Sequence, residues 1–491
     1  MRSMKFRHTT TEPTEEYDIP FVEVEKTEEE PVQVVEVVDH GDRQIVTSIL
    51  LEILYGVLLY FKAREALVPY LYALIPLILI TALLGTWLYN RDGDMKLFGA
   101  ITKLSASGIA LQLLVDELYT PVSSFSLIKY GIGFGAAFVF ILFYSIFRKL
   151  LRKPFTVYLM IAVSIAVYIV LLGWGYDPNG YGTTAWVKIG SYTVQLTDAS
   201  KVAAVLFYSA LFSAEKERSE DEILILSTLF FGINLIGAVL VHELGSFFIL
   251  LALHLSILFI FMESGTKKKI YLLAIAIGCF SVVAFSFGVY KLLLNDANAG
   301  TLNRLEQILW PIVKKVYTRF SVTANINSDP YGAGYQLLQG KKAMWFAGLL
   351  GNTINFTAIP VPESDMAFIA FINSFGWILG FYVVYLFLRI LLSGLKLSRS
   401  LLKPDIQDSV TTYGITMLVV MQAAIVILGS CNVIPFAGLP IPFLSRGGTY
   451  QTIVFCFTGL LLYLTVHDGQ AYERKEAADE TSLYKTADPD D

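Results

Sequence analysis

The chain has 491 residues, of which 55% are hydrophobic and only 16% charged, and its formal net charge is −5. Soluble domains carry about 25% charged residues, so a soluble core could not bury this much apolar surface, and the composition indicates an integral membrane protein. The weak negative charge excludes a nucleic-acid surface built on overall basicity. Three widely spaced cysteines, with no CxxC or metal-ligand spacing, argue against a disulfide framework.

The first 43 residues differ in composition from the rest of the chain. They hold twelve Asp or Glu against five Lys or Arg and show no periodic apolar pattern. Such a segment cannot bury enough apolar area to offset chain entropy, so residues 1–43 are predicted to be a disordered acidic tail. A second polar tail is predicted for 468–491.

Apolar stretches alternate with short polar breaks from about residue 44, each near the ~20 residues that a helix needs to cross a bilayer. Helices are expected because lipid offers no partner for free backbone groups and no stretch alternates like a barrel strand. The predicted fold is therefore an all-α polytopic membrane protein with about twelve transmembrane helices. The predicted spans are roughly 44–61, 67–89, 97–115, 124–147, 154–174, 201–215, 222–241, 246–262, 269–292, 366–392, 411–430 and 450–467.

The basic loops predict the orientation. Twelve spans place three basic clusters on one side, which the positive-inside rule makes cytoplasmic together with both termini. These clusters are Arg148–Lys153, Lys267–Lys269, and the group Lys396, Arg399 and Lys403. Three longer segments then face outward: connecting segments I (175–200), II (293–365) and III (431–449). Segment II, before the tenth span, is too long for a passive link, so function is expected there.

Segments I and II carry several candidate site residues. Asp198 and Lys201 are three residues apart at a predicted helix start, where they can pair, although ordinary capping would explain them equally well. Segment II contains outward-facing basic residues, which suit a lipid phosphate or are ordinary solvated loop charges. It ends with Asp365 at the membrane boundary, where a desolvated carboxylate suits a general base but an N-cap is an alternative.

Segment III has three prolines and three glycines between Asn432 and Gly448, which forbid a continuous helix. Irregular backbone at membrane depth requires cover from protein or a wet cavity. Arg446 with the amides of Gly447 and Gly448 could hold an anion there.

These segments resemble the SEDS family, the RodA/FtsW proteins of shape, elongation, division and sporulation. Pro435–Gly448 is similar to the family signature P-x-T-G-[LV]-x-L-P-F-[IV]-S-Y-G-G. Asn179–Lys201 resembles N-G-A-x-x-W-[IL]-x-L-G…Q-P-S-E-x-A-K, and Asp329–Gln336 resembles D-P-x-G-x-G-Y-Q with Arg319 upstream. Glu363-Ser364-Asp365, with Gly376 eleven residues later, resembles H-T-D-F…G-F.

The resemblance implies a peptidoglycan glycosyltransferase that polymerises lipid II into glycan strands with inversion, at the outer face of the cytoplasmic membrane. It makes Asp365 the catalytic residue; matching Pro362-Glu363 to a family P-E two residues earlier would instead put Ala367 there. A divalent cation, Mg or Mn, would assist, and the implied partners are the polyprenyl lipid and a class B penicillin-binding transpeptidase. The implied substrate-binding residues are Trp186, Asp198, Lys201, Arg319, Gln336, Lys341, Lys342, Ser445, Arg446, Gly447 and Gly448.

The chain also departs from the family pattern. Thr183-Thr184 stand where basic residues are usual, Asp198 replaces a Glu, and Arg446 replaces the Tyr of S-Y-G-G. Five predicted spans precede the first motif where the family has three, so two extra spans are expected within 44–147, before a core at 148–467. A lipid-linked precursor flippase and a non-catalytic scaffold of a cell-wall complex remain as alternatives; the nearly uncharged spans favour chemistry over transport.

Overall fold

The protein is described from a computed structural model, covering residues 41–118, 127–177, 180, 182–190, 192–213, 218–446 and 448–467. The tail predicted for 1–43 lies outside the described residues except for 41–43, which are helical, and the tail 468–491 lies wholly outside them. Apolar sequence produces helices because only a helix satisfies its own backbone in lipid. The helices are α1 Gly41–Lys62, α2 Arg64–Tyr89, α3 Met95–Leu118, α4 Leu127–Arg152, α5 Phe155–Trp174, α6 Thr197–Leu211, α7 Glu220–Leu240, α8 Leu244–Phe261, α9 Thr266–Ala299, α10 Arg304–Ala324, α11 Tyr335–Ala347, α12 Ala367–Leu401, α13 Ile406–Ser430 and α14 Gly448–His467.

Every predicted span coincides with one of these helices, so the helical polytopic fold is confirmed. The count of about twelve spans is not. Within the described ranges, ten helices are long and apolar enough to cross a membrane, whereas α6 and the apolar part of α8 are shorter. The shortest predicted span, 201–215, is α6, which begins four residues earlier and ends at Leu211.

The long connecting segments contain structure that hydropathy did not predict. Segment II holds the end of α9 and the whole of α10 and α11, so most of it is helical. Helix α10 begins with a capping box. The Asn303 side chain accepts a hydrogen bond from the Glu306 amide, and the Glu306 carboxylate accepts one from the Asn303 amide. Segment I forms an antiparallel hairpin of β1 (Trp186–Ile189) and β2 (Tyr192–Gln195).

Helix α3 lies at the centre of the bundle, and nearly all its residues from Leu97 to Val115 are buried. Helices α1, α2 and α12 pack against it, while α4 packs on α14, and α13 packs on α6, α8 and α12. Helix α9 is peripheral and packs mainly on α10. One end of α3 therefore meets segment III under cover of the surrounding helices.

Helix α12 is broken at Gly376, where φ is 87°. A Cβ there would stand 2.1 Å from the Leu349 carbonyl oxygen, so the break requires glycine. The break separates the short half that follows Asp365 from the long membrane half.

Candidate functional site

The three connecting segments meet at one end of the bundle. Segments I and II are joined by Lys315, whose Nζ donates to Thr183 Oγ1 at 2.5 Å. Segments II and III are joined by the Ser445 hydroxyl, which donates to the Ser364 carbonyl at 2.9 Å. The predicted grouping of these segments on one side is therefore present in the fold.

The backbone of segment III is irregular and largely satisfied by protein. The Ile441 amide donates to Ser445 Oγ at 2.7 Å, and the Arg446 amide donates to the Glu363 carbonyl at 2.7 Å. From α3, Gln112 Nε2 donates to the carbonyls of Leu444 at 2.6 Å and Glu363 at 3.2 Å. These bonds fix the segment against the end of segment II, as non-helical backbone at membrane depth requires.

Asp365 lies directly beside this segment. Its Oδ1 accepts from the Ser364 hydroxyl at 2.9 Å, and its Oδ2 lies 3.3 Å from the position that a Cβ on Gly438 would take. The N-cap position of α12 belongs to Met366, so the interpretation of Asp365 as a cap is wrong. Because Gly438 has no side chain, the carboxylate approaches the backbone of segment III closely.

Burial raises the pKa of the Asp365 carboxyl above its usual value. The Ser364 hydrogen bond and the Arg319 guanidinium lower this pKa, while Glu363 and Glu243 raise it further. Arg319 is fixed from segment III: its Nη1 donates to the Phe436 carbonyl at 2.6 Å, and its guanidinium lies over the Phe436 ring. The sequence did not single out Glu243 as part of this site.

Lys315, one turn before Arg319 on α10, is a second cation of the site. Besides Thr183, its Nζ contacts the His242 carbonyl at 2.7 Å. Burial lowers its pKa to about 8, with Glu243 raising and Arg319 lowering it. Thr183 stands where the family pattern has a basic residue. In this protein the Lys315 ammonium reaches that place from helix α10.

The predicted pairing of Asp198 with Lys201 is confirmed, with 2.9 Å between Lys201 Nζ and Asp198 Oδ1. Both side chains are only 1% exposed, and Lys201 also donates to Gln422 Oε1 at 3.2 Å. Gln422 in turn donates to the Pro440 carbonyl at 2.8 Å. The pair therefore supports segment III from the side of α6.

Comparisons with known proteins show the family of the chain. The family model of the FtsW, RodA and SpoVE cell cycle proteins matches residues 93–470. The chain belongs to this SEDS family. The matched region begins just before α3, so α1 and α2 precede it.

Similar SEDS relatives include stage V sporulation protein E of Bacillus subtilis, 25% identical over 314 residues, which are 62% of this chain and 76% of that protein. The probable peptidoglycan glycosyltransferase FtsW of Enterococcus hirae is 25% identical over 413 residues, 81% of this chain and 97% of the relative.

Two solved structures share the fold. A chain in the structure titled structural coordination of polymerization and crosslinking by a peptidoglycan synthase complex has a TM-score of 0.54 and 17% identity, covering 77% of this chain and 98% of that one. A mutant of the rod shape determining protein RodA of Thermus thermophilus has a TM-score of 0.50 and 17% identity, covering 77% and 97%.

The remaining SEDS-derived candidates occupy different positions. Trp186 is partly exposed on β1, and Gln336 is partly buried in the first turn of α11. Lys341 and Lys342 are exposed on α11, away from its packed face. Gly448 begins α14, and Gly447 lies outside the described residues.

Arg446 forms an ion pair with Asp116 at the end of α3. Its charge is therefore already shared with a carboxylate, a partner that sequence reasoning missed because Asp116 precedes every recognised motif. Gln112 was missed for the same reason, and Gln422 was missed because it lies between two motifs, inside a predicted span. A polar residue inside an apolar span was the available signal, since such residues usually face the bundle interior.

An apolar groove of about 310 Å³ opens next to the Asp198–Lys201 pair. It lies between α5, α6 and α14, with Gln195 and Thr449 at its lining and Ala199 and Val202 on its α6 wall. It has the chemical character needed for a hydrocarbon chain.

Among the described residues, no group of three or more His, Cys, Asp or Glu is placed to hold a metal ion. Mg²⁺ is often held by one or two carboxylates together with substrate phosphates. The divalent cation thus stays a prediction.

Proposed function

We propose that the protein is a peptidoglycan glycosyltransferase that polymerises lipid II at the outer face of the cytoplasmic membrane. The observation that carries the proposal is the Asp365 carboxyl, which is half-buried and held against segment III at Gly438, while the charge of Arg319 lowers its pKa. Its raised pKa suits a general base. The family relatives named as probable peptidoglycan glycosyltransferases support the same activity.

The reaction would be a single displacement with inversion. Asp365 takes the proton from the 4-hydroxyl of the acceptor sugar, whose oxygen bonds to the anomeric carbon of the donor. The bond from that carbon to the diphosphate oxygen breaks, and the polyprenyl diphosphate leaves with the electron pair. Growing negative charge on the leaving group requires fixed cations nearby.

Arg319 and Lys315 are the cations we assign to the departing diphosphate. They are one turn apart on α10 and each is oriented by hydrogen bonds to backbone carbonyls. Lys201 and Arg446 are paired with Asp198 and Asp116, so we assign them to holding segment III in place. Lys341 and Lys342 are exposed and would contact the substrate only at its periphery.

The apolar groove between α5, α6 and α14 is our candidate for the polyprenyl chain. Each buried CH₂ contributes about 0.8 kcal/mol, so a long chain gains much from this groove, which is lined in part by Gln195 and Leu196 of segment I. Trp186, on the nearby hairpin, would pack against a sugar face or the lipid.

We place this site on the outer face because the basic loops lie at the other end. Arg148, before the loop that joins α4 and α5, pairs with Asp405, in the loop that joins α12 and α13, at 2.9 Å. Both loops carry the basic clusters that the positive-inside rule assigns to the cytoplasm. A class B penicillin-binding transpeptidase is the proposed partner, and the similarity to a chain of a peptidoglycan synthase complex supports it.

The test is the full-length protein, incubated with lipid II with and without such a partner and scored for glycan ladders on gels. Asp365→Asn should reduce polymer formation by at least about a hundredfold, because general-base catalysis contributes typically 10²–10⁴-fold. The matched control is Asp296→Asn, an exposed acid at the end of α9, which should keep full activity.

Equal ladders from Asp365→Asn and the control would contradict the proposal and favour a scaffold role. Transport of lipid II across vesicles without polymer formation would favour the flippase.

A further inference from the structure

A polar cavity of about 250 Å³ lies far from the Asp365 site, between the start of α1, the first half of α3 and the membrane half of α12. Three basic residues line it: Lys96, Lys103 and Arg389. Lys103 and Asp116 are thirteen residues apart on α3, which is about 20 Å along a helix. The cavity is therefore separate from the site proposed above, and it belongs to the end with the basic loops.

Lys103 is the most informative residue of the cavity because it is buried inside a membrane-spanning helix. It is 4% exposed, and its Nζ donates to Gln44 Oε1 of α1 at 3.0 Å. Throughout the described ranges, no carboxylate pairs with it. An ammonium within a span is costly and by default marks a functional site, and a neutral amide leaves its charge uncompensated.

The acidic residues nearest in sequence do not neutralise the cavity. The Asp94 carboxylate caps the start of α3, where Oδ1 accepts from the amides of Lys96 and Leu97 at 2.9 Å. Asp42 is exposed, and its side chain accepts from the Arg43 amide. With no carboxylate among the lining residues, three cations converge on one space, and an anion is the expected occupant.

The surroundings indicate that this anion is amphipathic. Tyr382 and Tyr385 line the cavity, and tyrosine is enriched where protein meets the membrane interface. Beyond it, Phe381, Leu388 and Leu392 leave an exposed apolar face along the same helix. A phosphate ester would pair with the cations of the cavity, and its hydrocarbon chains would cover the exposed apolar face of α12.

We propose that this cavity binds the headgroup of an anionic phospholipid, with the acyl chains lying along the exposed face of α12. Basic pockets between membrane helices recognise such headgroups, and the planar guanidinium of Arg389 matches two phosphate oxygens. Gln44 and Thr47 come from α1, which precedes the family-matched region, so the site needs the additional N-terminal helices. It does not depend on the proposed glycosyltransferase activity.

The experiment titrates the purified full-length protein with phosphatidylglycerol, phosphatidylcholine or inorganic phosphate and counts bound molecules by native mass spectrometry. Phosphatidylglycerol should bind specifically. Lys96→Gln and Arg389→Gln should each weaken it about fivefold, since a basic residue near the surface contributes about 1 kcal/mol. Arg91→Gln is the matched control: it is an exposed cation in the loop before α3, outside the cavity, and should change nothing.

These two variants carry the test, because removing the buried Lys103 could prevent folding. Equal binding of phosphatidylcholine, or equal weakening by Arg91→Gln, would overturn the proposal. Displacement of the lipid by inorganic phosphate at similar concentration would show a soluble anion site and overturn the lipid assignment. Absence of lipid binding together with loss of stability in Arg389→Gln would show that the cations serve the folding of the chain, with the same consequence.

Discussion

Burial is the main cause of the raised pKa of Asp365, and two neighbouring charges of opposite sign adjust that pKa. Glu363 raises the pKa of this carboxyl and Arg319 lowers it. A general base works only when ionised, so activity falls as the pH drops through this pKa. Glu363→Gln should lower the pKa and move the acid limb of the pH–rate profile to lower pH, whereas Arg319→Gln should move it to higher pH. Shifts in the same direction would contradict the assignment.

Lys315 should define the alkaline limb of the same profile. Its pKa is lowered to about 8, so the cation is present below that pH and lost as the pH rises through it. Lys315→Arg should extend activity to higher pH, because arginine stays protonated. The control is Lys314→Arg, whose side chain is exposed. An unchanged alkaline limb in Lys315→Arg would exclude Lys315 from leaving-group stabilisation.

At single residues, the sequence predicted a local contact better than distant ones. The Asp198–Lys201 pair followed from helical spacing and is present. Other contacts join positions more than a hundred residues apart, and no local sequence pattern encodes them. Examples are the contact of Lys315 with Thr183 and the ion pair of Arg446 with Asp116. The choice between a general base and a helix cap for Asp365 likewise requires its tertiary neighbours, because spacing alone left both interpretations open.

At the scale of elements, the glycine break in α12 should be essential for the path of the chain after Asp365. Gly376→Ala places a Cβ against a backbone carbonyl at positive φ, so it should cost at least about 1–3 kcal/mol of stability. The measurement is thermal unfolding in detergent. Gly278→Ala is the matched control, since nothing lies within 4 Å of its added Cβ and α9 is regular there. A loss no greater than the control's would show that the break tolerates side chains.

Hydropathy predicted the long apolar helices correctly, because an apolar segment in lipid must satisfy its backbone hydrogen bonds internally and therefore forms a helix. It did not find α10, whose apolar and charged residues lie on different faces of the helix, nor the β1–β2 hairpin, whose strands have only four residues each. Those elements depend on packing at the end of the bundle, which composition does not describe. Helix α10 is also the element that brings Lys315 and Arg319 to the site.

At the scale of the whole molecule, α1 and α2 are joined to the family core by polar contacts within the bundle. Tyr55 of α1 shares a hydrogen bond with Ser107 of α3 at 2.7 Å, and Glu52 of α1 accepts from Thr81 of α2 at 2.7 Å. All four side chains are buried. We therefore expect these helices and the core to unfold together.

Thr81→Ala tests this cooperativity. It leaves Glu52 Oε1 without its donor and should destabilise the protein by about 1 kcal/mol, the scale of interhelical hydrogen bonds in membranes. The measurement is the temperature at which the Cys456 thiol in α14 becomes accessible to a labelling reagent. If the helices unfold with the core, the midpoint of this labelling should fall to the temperature that corresponds to the same loss of stability. Thr86→Ala, on an exposed turn of α2, should leave it unchanged. A midpoint unaffected by Thr81→Ala would mean that α1 and α2 are an independently unfolding addition, because only coupled elements transmit a local loss to a distant helix.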